Sequence, residues 1–364
     1  MSTGISRRRF IGNVGAGAVL LGLGPTLLSA CGDDDDSGDD TSTGGSGSGG
    51  GGDFGELGVQ LSWIKNIEFA GLYIADSEGY FADEGFSSVN LIAGPGDAIA
   101  PLIQGQVLYS FLGSETWANA VLNDGAPIKI IGANFQENPF CILYLADNPL
   151  ETPEDMVGKT IGVQTANEQI WQAFLRKNGL EEGSGAGQVN KVPVDFEPTP
   201  LENGEVDGFF SFITNEPNIL RTKGLDVGTL NLQDNGITLY QQIYGVTEET
   251  LEGDRDKLVA AMRAESKGWQ EAIANQELAI QLTLEEYGAD LDLNPESQKL
   301  ELEAQIELQQ SDSTDENGLF YMSEEDIERN LSVLADLGLE VSADLYTNEI
   351  LDEVYADGID LRGS

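Results

Sequence analysis

The sequence predicts an α/β fold with two lobes and a helical C-terminal part. Three observations predict it: a length of 364 residues, alternating strand-length and helix-length segments from Leu57, and a nearly continuous helical pattern after Glu248. A chain of this length exceeds what one hydrophobic core usually holds. Strands that alternate with helices predict parallel sheets with short crossovers.

The composition excludes several classes of function. The chain carries 63 acidic and 18 basic residues, a formal net charge of −45, and no histidine. This balance opposes nucleic-acid binding, which needs clustered Lys and Arg. Without histidine, the Ser-His-Asp and Cys-His nucleophile systems are excluded and the commonest transition-metal ligand is missing. Two cysteines, Cys31 and Cys141, are too few for a cysteine-based zinc site. We therefore predict no catalytic residue, metal or cofactor.

The first 31 residues have the pattern of an export signal. Arg7–Arg9 precede the uncharged apolar run Val14–Leu28, and the twin arginines resemble a signal that exports folded proteins. Leu28–Cys31 resembles a lipobox, which predicts Cys31 as the lipid-anchored first mature residue. The alternative is a transmembrane anchor, but 15 apolar residues are fewer than the roughly 20 that a span needs. Residues 32–53 form an acidic, Gly/Ser-rich linker that we expect to be disordered.

Lobe 1 is predicted from an alternating pattern that begins at Leu57. The turn sequence Gly94–Gly96 separates the second strand from a helix that Asp97 can cap, and Pro101 lies close enough to the first turn to be tolerated. The predicted strands are 57–63, 88–93, 108–112, 128–133 and 141–146, and the predicted helices are 69–78, 97–104 and 114–123.

Lobe 2 is predicted to begin near Pro153. Its predicted strands are 158–163, 190–194 and 206–212, and its helices are 167–177 and 216–223. A strand over 236–244 is expected to return the chain to lobe 1, followed by helices 248–251, 254–275, 276–287, 295–308, 323–337 and 348–357. We therefore expect lobe 1 to comprise residues 54–146 and 240–364, and lobe 2 to comprise residues 147–239.

The carboxyl ends of the predicted strands indicate where a ligand would bind. In open α/β sheets the ligand lies beyond these ends, here between two lobes that would move as a hinged clamshell. The rule selects the loops 63–69, 94–97, 113–117, 164–171 and 211–217.

Several of these segments resemble a known family. Leu61–Tyr73 followed by Gly79–Gly85, the entry Thr152–Val163 into the second unit, and Asn215–Pro217 after a strand occur in the same order in ABC-transporter solute-binding proteins. The family is the one that binds thiamine-pyrimidine precursors, sulfonates and nitrate and is similar to thiamine-pyrimidine synthases. The resemblance implies a type II periplasmic-binding-protein fold, a small-molecule ligand in the cleft and delivery to a transporter permease.

The residues in the selected loops favour one class of ligand. They offer carboxylates, amides and aromatic rings, but Lys65 is their one cation. Aromatic faces stack on flat rings, and carboxylates accept hydrogen bonds from amino groups, so a planar nitrogen heterocycle such as a thiamine-type pyrimidine fits better than a small anion. Each residue also has a structural alternative, in core packing, helix initiation or turn formation. The candidate ligand-binding residues are Trp63, Asn66, Phe69, Ser114, Glu115, Thr165, Asn167, Trp171, Asn215 and Glu216.

The predicted function is therefore that of a monomeric, lipid-anchored binding protein at the extracytoplasmic face of the cytoplasmic membrane. Riboflavin, an aliphatic sulfonate and nitrate remain alternative ligands, and a surface sensory module is an alternative from another class. A pyrimidine synthase in the wider family uses a histidine and a cysteine-rich motif. Both are missing from this sequence, so an enzyme is not predicted.

Overall fold

The computed structural model describes residues 53–363, so the predicted signal, Cys31 and most of the linker lie outside the described residues. Ten strands form two five-stranded sheets, in the orders β2-β1-β3-β10-β4 and β7-β6-β8-β5-β9. The strands are β1 Gly55–Gln60, β2 Phe86–Ile92, β3 Tyr109–Leu112, β4 Ile128–Phe135, β5 Phe140–Leu145, β6 Thr160–Gln164, β7 Asn190–Val194, β8 Gly208–Phe212, β9 Val227–Asn231 and β10 Gln241–Thr247.

Helices surround both sheets and make up most of the chain after β10, as the sequence predicts. They are α1 Ala70–Ser77, α2 Tyr80–Asp83, α3 Ile99–Ile103, α4 Ser114–Asp124, α5 Glu168–Lys177, α6 Thr199–Glu202, α7 Glu216–Thr222, α8 Glu248–Gly253, α9 Arg255–Ala274, α10 Gln276–Leu282, α11 Pro295–Gln309, α12 Asp312–Asn317, α13 Glu324–Asp336 and α14 Glu349–Val354. Within the described residues, none of these helices combines the length and apolarity that crossing a membrane requires.

Each sheet is mixed, which corrects the expectation of purely parallel sheets. In the first sheet, β10 runs antiparallel to both β3 and β4. In the second, β5 runs antiparallel to both β8 and β9. The reversed strand in each sheet is the one that enters directly from the other lobe. A strand that enters without a helical crossover needs no right-handed βαβ connection and is free to run in the opposite direction.

The first crossing between lobes occurs earlier than the predicted boundary at 146. Strand β5 hydrogen-bonds within the second sheet, so the chain crosses between Phe135 and Phe140. Strand β9, which the sequence pattern does not predict, forms the edge of the same sheet. The apolar runs of β4 and β5 are alike in composition, and only their hydrogen-bond partners assign them to different lobes.

Close helix packing positions the first loop of the cleft. Helix α9 lies against α1, and a Cβ atom added at Gly268 would lie 2.1 Å from the backbone oxygen of Gly71. A Cβ atom at Gly71 would lie 2.2 Å from the ring of Trp269. Both positions therefore require glycine, and the resulting contact holds the start of α1, directly after the loop that carries Glu68.

A buried carboxyl group lies at the centre of lobe 1. Glu265 on α9 is 1% exposed, and its two carboxyl oxygens accept hydrogen bonds from Tyr109 Oη at 2.6 Å and Tyr244 Oη at 2.9 Å. Burial raises the pKa of Glu265 to about 7, although the two tyrosine hydrogen bonds lower it. Glu265 thus links α9 to strands β3 and β10 from within the core.

Candidate ligand-binding site

A cleft of 640 Å³, its open mouth included, lies between the two sheets. The lobe 1 wall comes from the segments after β1 and β3 and from the start of β10, and the lobe 2 wall from the ends of β6, β7 and β8. This agrees with the rule that places ligands beyond the carboxyl ends of strands. The lining residues are Ser62, Trp63, Glu68, Leu112, Gly113, Gln164, Asn167, Phe196, Phe210, Ser211, Phe212, Asn215, Glu216, Gln241 and Gln242.

Four of the ten candidate residues line this cleft: Trp63, Asn167, Asn215 and Glu216. A fifth, Asn66, lines an adjoining cavity, where its Nδ2 atom donates to Glu301 Oε1 at 2.6 Å. The structure therefore brings together residues from both lobes that are more than 150 positions apart in sequence.

The other candidates lie outside the lining. Phe69 packs on Phe111 in the lobe 1 core with ring centroids 5.7 Å apart. Ser114 Oγ donates to the Tyr240 carbonyl oxygen at 2.8 Å. Trp171 is buried in the lobe 2 core. In each case a residue near the start of a helix turns towards the sheet, because one face of an amphipathic helix must pack on it.

Two further candidates lie close to the cleft without lining it. Glu115 is half-buried behind the wall, where its Oε2 accepts from Gln241 Nε2 at 2.8 Å. Thr165 is exposed. Glu115 thus orients a lining amide and does not itself face the cleft.

Several lining residues are not among the sequence-based candidates. Gln241 and Gln242 come from the returning strand β10, which is not among the loops that the strand-end rule selects. Phe196 follows β7, and the strand-end rule would have found it had the loop after β7 been included. Nothing in the sequence pattern distinguishes Gln242, which has a positive φ of 51°.

Glu216 is the most deeply placed acid of the cleft. It is the first residue of α7, is 4% exposed, and its Oε2 accepts the backbone N–H of Phe212 at 2.9 Å. Burial raises its pKa to about 8. The negative charges of Glu197 and Glu68 raise it further, and backbone hydrogen bonds lower it. A ligand that donates to this carboxyl group would therefore meet an acceptor already removed from water.

A second acid faces the cleft from lobe 1. Burial raises the pKa of Glu68 to about 7, and a hydrogen bond from Ser62 Oγ at 3.3 Å lowers it. Behind it, Glu301 accepts from Asn66 and from Gln298 Nε2 at 2.9 Å. Burial and the charge of Glu68 raise the pKa of Glu301 well above its usual range. The inner wall of lobe 1 is thus rich in carboxyl groups.

Amide and hydroxyl groups complete the polar lining. Gln164 Nε2 donates to the Phe210 carbonyl oxygen at 2.9 Å, and Asn167 Nδ2 donates to Gln164 Oε1 at 3.0 Å. These bonds fix the orientation of both amides. Ser211 Oγ is buried and has no hydrogen-bond partner among the described residues.

An aromatic pair connects the two lobes at the cleft. Trp63 follows β1 in lobe 1, and Phe196 follows β7 in lobe 2. Their ring centroids are 4.9 Å apart with an interplanar angle of 68°, an edge-to-face contact. Both rings also line an adjoining cavity of 990 Å³. Separation of the lobes would break this contact.

The cleft is poor in positive charge. No lysine or arginine is among its lining residues, and Lys65 does not line it. Within residues 53–363, no group of three or more His, Cys, Asp or Glu side chains could hold a metal ion. The lining therefore suits a flat ligand that donates hydrogen bonds better than it suits an anion.

Comparison with known proteins gives relatives and a shared fold. A formylaminopyrimidine-binding protein of Halalkalibacterium halodurans is 26% identical over 235 residues, 62% of this chain and 69% of that protein. Riboflavin-binding protein RibY of Chloroflexus aurantiacus is 24% identical over 239 residues, 63% of this chain and 66% of that protein.

Solved structures share the fold at low sequence identity. The periplasmic aliphatic sulphonate-binding protein SsuA of Escherichia coli has a TM-score of 0.57 at 13% identity, covering 79% of this chain and 92% of that one. The desulfurization enzyme DSZB also has a TM-score of 0.57, at 14% identity, covering 82% of this chain and 98% of that one. The fold is thus that of periplasmic binding proteins, and it also occurs in an enzyme. Since the family model described as NMT1/THI5 like matches residues 66–279, more than half of the chain, this protein belongs to that family.

Proposed function

We propose that this protein is a solute-binding protein that delivers a small planar nitrogen heterocycle, preferably a thiamine-type pyrimidine, to an ABC importer. One observation carries the proposal. The interlobe cleft combines aromatic rings with the buried acceptor Glu216, and no lysine or arginine lines it.

The two sequence relatives support a flat ligand. One is named for formylaminopyrimidine and the other for riboflavin, and both compounds are planar heterocycles. A sulfonate or nitrate would place a negative charge beside Glu216 and Glu68, where an anion normally finds Arg, Lys or a long helix N-terminus. The lack of lysine and arginine among the lining residues therefore opposes the two anionic alternatives.

Riboflavin is the second candidate. The adjoining cavity of 990 Å³ shares Trp63, Phe196 and Asn215 with the cleft. A ligand larger than an aminopyrimidine could extend from one cavity into the other. We rank it second because the cleft between the sheets already combines aromatic rings with a buried carboxyl group, without the adjoining cavity.

We propose binding without chemical turnover. The fold does not decide this, because DSZB is an enzyme of the same fold. The sequence provides the argument, since it contains no histidine, and the buried Cys141 has a pKa that burial raises well above its usual range. A surface sensory module remains the alternative if no permease partner exists.

We further propose that Cys31 carries a lipid that anchors a monomer to the extracytoplasmic membrane face. The support is the lipobox-like Leu28–Cys31 after twin arginines. Mass spectrometry of the protein isolated from membranes would test it. An acylated N-terminal cysteine is expected, and the Cys31→Ala variant should be released into the soluble fraction. Membrane attachment that survives Cys31→Ala would contradict the anchor.

The ligand is tested by a thermal-shift screen of the unit Gly50–Ser364 against formylaminopyrimidine, riboflavin, an aliphatic sulfonate and nitrate. A ligand at 100 times its Kd should stabilise the protein by about 2.7 kcal/mol. We expect formylaminopyrimidine to give the largest shift. Stabilisation by the anions alone would refute the proposal.

A matched pair of variants then tests Glu216. Glu216→Ala should weaken the best ligand by roughly 1–3 kcal/mol, because it removes the buried acceptor. Glu205→Ala removes an exposed acid of lobe 2 that lines neither cavity, and it should leave affinity unchanged. Equal affinities for the two variants would remove Glu216 from the site.

A further inference from the structure

Two buried carboxyl groups, Glu216 and Glu68, line the same cleft from opposite lobes. Ser211 Oγ, buried and without a hydrogen-bond partner among the described residues, lies in the same wall. No positively charged side chain lines the cleft. The cleft therefore contains carboxyl groups and no cationic side chain to balance their charge.

None of the groups around Glu216 supplies a positive charge. From lobe 1, Glu68 and Glu301 face it, and the loop after β7 contributes Glu197. Strand β5 contributes the buried thiol of Cys141.

The two cations on or beside α7 are engaged elsewhere. Arg221 donates to Asn218 Oδ1 at 2.8 Å, and Lys223 pairs with Glu202 at 2.6 Å. Because Glu216 has no cation to balance it and its pKa lies at about 8, its carboxyl group is mainly protonated in the empty cleft at neutral pH.

We propose that the cleft binds a basic nitrogen heterocycle together with one proton, held between a ring nitrogen of the ligand and the carboxyl group of Glu216. This inference rests on the proposed function and specifies its ligand class. A neutral carboxylic acid donates its O–H to the ring nitrogen, or a carboxylate accepts N–H from the protonated ring. Both descriptions contain the same atoms and the same single proton.

The proposal fixes how affinity depends on pH. Above the pKa of Glu216, the empty site has lost its proton, so binding must take one from solvent. Affinity then falls about tenfold for each further pH unit. Below the pKa of the ligand's ring nitrogen, both partners carry a proton and binding must release one. Affinity is therefore highest between the two pKa values.

This dependence separates a basic ring from the other candidates. A sulfonate or nitrate has no basic nitrogen to share the proton. The same cleft would bind such an anion more tightly as its acids became protonated, and affinity would then level off without any loss at the acid side. The proposal therefore selects the aminopyrimidine class over the anions on an independent measurement.

The test is titration calorimetry of the unit Gly50–Ser364 with formylaminopyrimidine between about pH 6 and pH 10, in pairs of buffers with different ionisation enthalpies. The wild type should show constant affinity near neutral pH, a loss of about tenfold per unit above about pH 8, and proton uptake on that side. Glu216→Gln should bind more weakly with no such dependence. Glu205→Gln, the control at an exposed acid of lobe 2 that lines neither cavity, should keep the wild-type profile.

Three results would overturn the proposal or the function beneath it. Affinity that stays constant across the pH range, with no proton uptake, refutes the shared proton and leaves the proposed function intact. A profile that flattens in Glu68→Gln and not in Glu216→Gln refutes the assignment to Glu216. Absence of binding at every pH refutes the proposed function itself.

Discussion

The core of lobe 1 and the interlobe cleft each contain a buried glutamate, and the two differ in their partners. Glu265 is 1% exposed and Glu216 is 4% exposed, and burial raises the pKa of both, to about 7 and about 8. Both carboxyl oxygens of Glu265 accept hydrogen bonds from tyrosines. Glu216 accepts its hydrogen bond from the Phe212 backbone and faces a cavity.

The comparison shows that burial and a raised pKa do not by themselves mark a functional site. A buried acid is unremarkable once the protein satisfies it, and Glu265 is satisfied. What distinguishes Glu216 is that, among the described residues, no side chain donates to it while a cleft lies in front of it. Removal of Glu265 should therefore affect folding, and removal of Glu216 should affect binding.

The largest effect expected is on stability, from Glu265→Ala. Truncation leaves the hydroxyl groups of Tyr109 and Tyr244 without their acceptor and opens a cavity. The free energy of unfolding should fall by about 2–5 kcal/mol, as measured by urea denaturation. The Kd for formylaminopyrimidine, measured below the transition, should not change. A large loss of affinity would contradict the prediction that Glu265 acts in stability and not in binding.

The pH dependence of the free energy of unfolding that comes from Glu265 should be nearly as large. The folded-state pKa of Glu265 is raised from 4.5 to about 7, so its contribution to stability is fully present below 4.5 and is lost as the pH rises through 7. A shift of this size corresponds to at most about 3 kcal/mol. Wild type should therefore lose more stability between about pH 5 and pH 8 than Glu265→Gln does, as measured by urea denaturation. Parallel curves for the two proteins would contradict this.

The third effect should appear in binding alone. Glu216→Gln keeps the size of the side chain and removes its charge and proton. We expect affinity for formylaminopyrimidine to fall by about 10- to 100-fold, with no loss of stability in the absence of ligand. Calorimetry and urea denaturation of the same preparation measure both. A destabilised variant with normal affinity would show that Glu216, like Glu265, stabilises the fold and does not act in binding.

The smallest effect concerns the contact between the lobes. Phe196 is 36% exposed and packs edge-on against Trp63. Phe196→Ala should weaken ligand binding by about 0.5–1.5 kcal/mol, because a closed cleft loses its interlobe aromatic pair. Phe196→Leu, which keeps most of the volume, should lose less. Identical affinities for the wild type and both variants would show that the pair does not stabilise the closed form.

The strand pattern was predictable to within a few residues except for β9, and the lobe to which β5 belongs was not predictable. Strand β7 has the predicted bounds 190–194, because alternation and flanking turns are local signals. The assignment of β5 to the second sheet depends on partners far away in the chain, such as Phe209 and Thr229. The local sequence pattern does not predict that pairing.

The candidate site was predictable where it follows a strand end and not where it depends on side-chain direction. Glu216 and Asn215 come directly after β8, so the strand-end rule selects them. Trp171 satisfies the same rule, yet it packs in the lobe 2 core. Gln241 and Gln242 reach the cleft from a crossing strand that the rule does not consider.

By itself the sequence determined the α/β class, the two lobes, the excess of acidic over basic residues and some of the loops that line the cleft. These properties are local or additive, so composition and periodicity are sufficient to determine them. Only the tertiary structure decided which buried acid is satisfied and which faces a cavity. Glu216 and Glu265 are both glutamates near apolar neighbours in the sequence, and the donors that separate them come from distant strands. Hydrogen bonding between such distant groups is a property of packing, and packing is specified by the whole chain at once.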